Sequence, residues 1–172
     1  MTDPWLILLR IVHVGSAMAW FGGAIVAGFF LSRAAQALGP TSQSLMDQVM
    51  NRQRMGIYFP IVALLAILSG AALIWRDSAG FSSPWISSPS GLAYAIGGLA
   101  AVTAFVGGMV LIGPSVRDQT AVRNEMATSG GAPSADQRDR LERADRRMQL
   151  ASRIDFPLIL IAGLMMAVGR YL

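Results

Sequence analysis

Four apolar runs, residues 5–31, 57–75, 91–112 and 154–171, set the limits on what this chain can become. As helices they match a hydrocarbon core of roughly 30 Å, the last being the shortest. Backbone inside hydrocarbon must satisfy its own N–H and C=O groups, so such runs fold as helices and not as open strands. The expected fold class is therefore all-α: an integral membrane four-helix bundle, one transmembrane domain over 1–172, with a charged helical loop on one side.

The segments between the runs fit that plan. Residues 32–56 are polar and amphipathic, broken by Gly39 and Pro40, with a stripe of Leu45, Met46, Val49 and Met50 suited to the membrane surface. Residues 78–90 are uncharged and rich in Ser and Pro, which predicts a tight loop with Phe81 and Trp85 at headgroup level. Gly113 and Pro114 are expected to stop the third helix. Residues 113–153 then form the main loop outside the membrane. It has a flexible break at 129–134 and an alternating-charge helix over 136–153, either solvated and laced with i,i+4 pairs or a docking surface. Pro60 and Pro157 are placed in the first turns of the second and fourth helices, each after a phenylalanine. That match is consistent with an old hairpin duplication.

Arginine placement sets the topology. Both 32–56 and 113–153 are arginine-rich, whereas the other side has only Arg10, Arg76 and Arg170. The positive-inside rule puts both loops in the cytoplasm and both termini in the periplasm of a bacterial inner membrane. The N-terminus has no basic region, so the first run reads as a retained helix and not a signal peptide. All 14 cationic side chains are arginine and there is no cysteine. Disulfides, thiolate catalysis, Schiff bases and a P-loop lysine are thereby excluded. The basic balance resides in membrane loops and does not indicate nucleic acid.

Small residues mark where helices approach. Gly15, Ala19, Gly23 and Ala27 recur every fourth residue on the first helix. Ala66 and Gly70 do so on the second. On the third, Ala93, Gly97 and Ala101 form one row, and Ala100, Ala104 and Gly108 another. Such seams admit backbone-to-backbone contact and predict two neighbours for the third helix. The faces bearing Gly15, Ala19, Gly23, Gly97, Ala101 and Gly108 are also the expected contacts with other membrane subunits or a second copy, the rest facing lipid.

His13, the only histidine, is the leading candidate ligand. Arg10, His13, Ala17 and Trp20 share one helical face. Imidazole is a good axial ligand for iron, and four-helix bundles carry haem in their cores. In that reading His13 binds the metal of a b-type haem, Gly15 and Ser16 leave room for the macrocycle, Trp20 and Met18 pack on it, and Arg10 meets a propionate. The sixth position falls to a methionine, stays open, or is shared across a dimer. In the competing reading His13 hydrogen-bonds Ser16, Thr103 or a carbonyl on a neighbouring helix. Ten methionines raise copper(I) as a ligand, but no paired array lies within a run, and core filling accounts for them. Asp155 reads either as a helix-dipole partner beside Arg153 or as a proton relay.

His13, Trp20, Gly22 and Gly23 resemble the first helix of CopD-like copper-resistance membrane proteins. They are also similar to the His…Trp beginning of HemJ-type protoporphyrinogen oxidases. The HemJ resemblance implies a haem held by His13 together with a lysine, which this chain lacks. Three functions follow in order: a small redox-associated protein with haem at His13, a non-catalytic accessory subunit of a respiratory or photosynthetic complex, and a small-solute or metal transporter. No complete catalytic set is visible.

Overall fold

The computed structural model describes residues 3–42, 45, 48–49, 54–130 and 132–172. Every regular element among them is helical. In chain order these are α1 (Pro4–Ile25), a π turn (Val26–Leu31), α2 (Ser32–Leu38) and a 3-10 turn (Gly39–Ser42). There follow α3 (Met55–Asp77), the short α4 (Ser83–Ile86), α5 (Pro89–Gly107) and a second π turn (Gly108–Ile112). The chain ends with α6 (Gly113–Ser129), α7 (Ala135–Val168) and a 3-10 turn (Gly169–Tyr171). Four continuous rods, Pro4–Ala35, Met55–Asp77, Pro89–Ser129 and Ala135–Tyr171, are long and apolar enough to cross a membrane.

Neighbouring rods run antiparallel. At one end Arg76, in the last turn of α3, pairs with Asp3 at the start of α1 at 2.7 Å. At the same end of the other pair, Gly169 closes on the ring of Tyr94. At the opposite end the Phe29 and Phe156 rings meet edge to face, with centroids 4.8 Å apart. α1 packs chiefly on α3, and α5 on α7. The buried positions of the two central spans are small, Ala63, Ala66, Ser69 and Gly70 on α3 and Gly91, Ala93, Gly97, Ala100 and Ala104 on α5, whereas α7 buries Ile159. Lipid tails compete with side chains for apolar contact, so close backbone approach is what holds such helices together.

Several boundaries differ from the sequence expectation. Gly113 and Pro114 do not stop the third helix. The preceding π turn lets the Gly113 N–H reach back to the Gly108 carbonyl, which carries the helix past a proline that has no N–H to give. The charged helix does not end before the fourth span either. α7 is unbroken from Ala135 to Val168, which makes Pro157 an interior residue and not a first-turn one. α3 begins at Met55, so Pro60 also lies inside its helix.

The two expected small-residue rows on α5 merge into one seam. Ala93, Gly97, Ala100 and Ala104 are buried, whereas Ala101 is half-buried. A Cβ at Gly97 would lie 3.1 Å from that of Met165 and 3.3 Å from the Ala162 carbonyl. On α1 only part of the seam is engaged. Gly23 faces the Phe59 ring and the Ala19 carbonyl accepts from the Tyr58 hydroxyl at 3.3 Å, but Gly15 has open space. Of the Leu45 stripe, Met46 and Met50 fall outside the described residues.

Beyond the membrane α6 and α7 continue as an antiparallel hairpin around buried Ser115, Val122, Ala144 and Ala151. Gly130, at φ +66°, ends α6 in the left-handed conformation a glycine adopts without strain. Ser134 and Gln137 open α7 with reciprocal capping bonds. Charge pairing runs mainly across the hairpin, Arg140 to Glu125 at 2.9 Å and Arg147 to Asp118 at 3.4 Å. One pair, Glu142 with Arg146, lies along the helix. The Arg140 guanidinium holds the Glu125 carboxyl below its ordinary range, helped by the Gln137 amide.

Candidate cofactor-binding site

His13 lies on α1 about 14 Å from Pro4 at helical rise, well inside the span. It faces α3, where Gly70 removes the side chain that would obstruct the ring. A Cβ there would come within 2.7 Å of His13 Cε1 and 3.1 Å of Nδ1. One turn earlier the Ala66 carbonyl lies 2.9 Å from Nδ1. A carbonyl only accepts, so Nδ1 carries a proton, and of the two neutral tautomers this contact selects the one with its lone pair on Nε2. Nε2 makes no hydrogen bond among the described residues. The Ser69 hydroxyl stands 3.4 Å from Nδ1 but gives its proton to backbone, 2.5 Å from the Leu65 carbonyl.

The other expected site residues divide. Arg10, one turn outward on the same face, is exposed and joins none of the ion pairs among the described residues. Trp20 is half-buried two turns inward. Ser16 does not reach the imidazole: its hydroxyl donates to the Val12 carbonyl at 2.6 Å, one turn back on its own helix. Thr103 likewise donates to the Leu99 carbonyl on its own helix. The neighbouring-helix carbonyl is thus the partner His13 finds. Met18 points outward at 70% exposure, and no cluster of three metal-ligating residues of the His, Cys, Asp or Glu types occurs among the described residues.

Sequence reasoning placed Ala66 and Gly70 on a packing face without connecting them to His13. The available signal was their four-residue spacing, which puts a carbonyl one turn from a bare Cα and so frames a flat ring. A second feature of the same end is a cleft of about 340 Å³ between the end of α3, α4 and the start of α5. Its walls include Ile74, Phe81, Trp85, Tyr94 and Leu99, and they are almost wholly apolar. Trp85 stacks on Tyr94 with ring planes 6° apart. Trp85, expected in a loop, thus lies on the short helix α4 and against a neighbouring ring.

Four apolar rods, small-residue seams and charge gathered mainly at the ends define a polytopic integral membrane protein. The chain belongs to the family described as Predicted integral membrane protein (DUF2269), which matches residues 7–168. No curated protein and no solved structure matches it.

Proposed function

We propose that this is a small redox-associated protein of a bacterial inner membrane, with both termini periplasmic, in which His13 Nε2 ligates a b-type haem. The observation that carries the reading is His13 Nε2, which makes no hydrogen bond among the described residues, while Nδ1–H donates to the Ala66 carbonyl that the competing reading also expects. Ligating histidines commonly donate their second ring N–H to a carbonyl, which fixes the tautomer and makes the ligand nitrogen more basic. Gly70 leaves room for the ring edge at Cε1, and the Ala66 carbonyl fixes Nδ1, which supports an imidazole oriented in advance of a ligand.

The residues present fit one axial position. Bound haem supplies one-electron transfer, its potential tuned by the axial ligand and by burial. Arg10, exposed one turn outward, is the cation available for a propionate, and Trp20 is the aromatic available for the macrocycle face. Ser16 drops out of the contact set because its hydroxyl is committed to backbone. The sequence contains no second histidine, cysteine or lysine, so any second protein ligand would be a methionine or would come from a second copy.

The test is the visible spectrum of the protein purified in mild detergent after expression with ample haem supply, oxidised and then reduced. A Soret band co-eluting with the folded chain, lost in His13→Ala, is the expected result. A colourless wild-type protein refutes the reading. One observation favours the second reading, an accessory subunit of a larger complex: α1 buries no residue, and Gly15, Gly22 and Gly28 have nothing within 4 Å. In that case the colourless chain elutes with other subunits, and His13→Ala leaves the assembly intact.

A further inference from the structure

Ten acidic side chains occur in the sequence, and Asp155 alone falls within an apolar run. Its carboxyl lies against bare backbone where α5 enters its π turn. A Cβ on Gly107 would be 2.8 Å from Oδ1, and one on Gly108 would be 3.8 Å from Oδ2. Oδ1 is buried and has no hydrogen-bond partner among the described residues. Asp155 joins none of the ion pairs found there.

The charged neighbourhood is sparse. α5 and its π turn present glycine Cα atoms and no titratable group. From the first rod the Phe29 ring meets Phe156, next to Asp155 in the chain, and carries the Arg33 guanidinium 5.6 Å above it. On α7 itself Arg153 is exposed, two residues earlier. Arg54, at the start of α3, is exposed as well. Backbone irregularity gathers at this level. Two rods make π turns here, and Pro157 has no N–H to give to the Arg153 carbonyl. π turns inside helices occur frequently at functional sites.

We propose that Asp155 is a proton-binding site that exchanges with the aqueous phase on the arginine-rich side of the membrane. This stands independently of the haem reading. A metal cation needs several oxygen ligands, and the wall facing this carboxyl is glycine; a proton needs one oxygen. The step is the carboxylate plus one proton giving the neutral acid, with no other bond made or broken. Loading removes a charge from a place where no described residue pairs it.

The test uses the full chain in detergent and the apolar reagent N,N′-dicyclohexylcarbodiimide, which converts a protonated carboxyl to a stable N-acylurea located by peptide mass mapping. The expected result is an adduct at Asp155 whose yield falls by about tenfold per pH unit above its midpoint, as the acid form does. A water-soluble carbodiimide with an amine nucleophile is expected to modify the acidic residues outside the spans and to spare Asp155. Gly107→Ala displaces the carboxyl from its notch and is expected to make Asp155 accessible to the water-soluble reagent. No adduct at Asp155 in folded protein, with one formed after unfolding in dodecyl sulfate, overturns the proposal. So does a yield independent of pH, or equal modification of Asp155 by the water-soluble reagent.

Discussion

Replacing Gly70 by alanine tests the His13 pocket directly. The new methyl would stand 2.7 Å from Cε1, well inside the 3.5–4.0 Å at which carbon atoms rest. The ring must retreat by roughly 1 Å, and a 2.9 Å hydrogen bond to Ala66 does not survive that shift. Losing the bond costs about 0.5–1.5 kcal/mol and overpacking about 1–3 kcal/mol, against a helix-propensity gain of up to ~1 kcal/mol for alanine over glycine. The expected net loss is about 0.5–4.5 kcal/mol, read from reversible unfolding in mixed micelles by far-ultraviolet circular dichroism. Gly15→Ala is the internal control. Nothing lies within 4 Å of its Cβ, so it should be neutral or slightly stabilising. In a His13→Ala background the cost of Gly70→Ala should vanish, since the atom it strikes is gone. A Gly70→Ala cost equal to that of Gly15→Ala, or one that persists without His13, refutes the reasoning.

Two further outcomes join this one and the spectral and carbodiimide tests above. Gly91→Ala would set a methyl 2.0 Å from the Trp85 carbonyl oxygen, a backbone atom that cannot swing aside. It should destabilise by about 3 kcal/mol and disturb the Trp85–Tyr94 stack, visible in tryptophan fluorescence. At the hairpin tip, Arg140 depresses the Glu125 carboxyl, so that pairing contributes above the ordinary carboxylate range and is lost as pH falls through the depressed folded value. Amide exchange at the α6–α7 tip, corrected for intrinsic rates, should therefore accelerate on acidification in the wild type and lose much of that dependence in Arg140→Ala.

How much of this was legible in the sequence depends on which distances the physics involves. Span number follows from apolar length alone, because the bilayer fixes the length of the helix. Helix ends were harder. Pro114 reads as a stop and Pro157 as a first-turn residue, but a π turn at 108–112 carries the helix past the one and α7 runs unbroken through the other. The seam on α5 was visible as two rows, yet which residues it buries depends on how α7 crosses it. His13 stood out as the only imidazole, and its competing partners were all plausible by type. Ser16 and Thr103 both bond to their own helix one turn back, a choice of local geometry that spacing does not reveal.

The sequence by itself determined the class of molecule: four helical spans, arginine-rich connections on one side, one histidine and one carboxyl at membrane depth. Those are properties of each segment against lipid and water, and need no knowledge of neighbours. The tertiary structure decided what the histidine and the carboxyl meet. His13 is oriented by Ala66 and Gly70 on another helix, and Asp155 rests in a notch made by Gly107 and Gly108. Both depend on the absence of a side chain fifty or so residues away in the chain. A bare Cα becomes a binding surface only when another helix is brought against it.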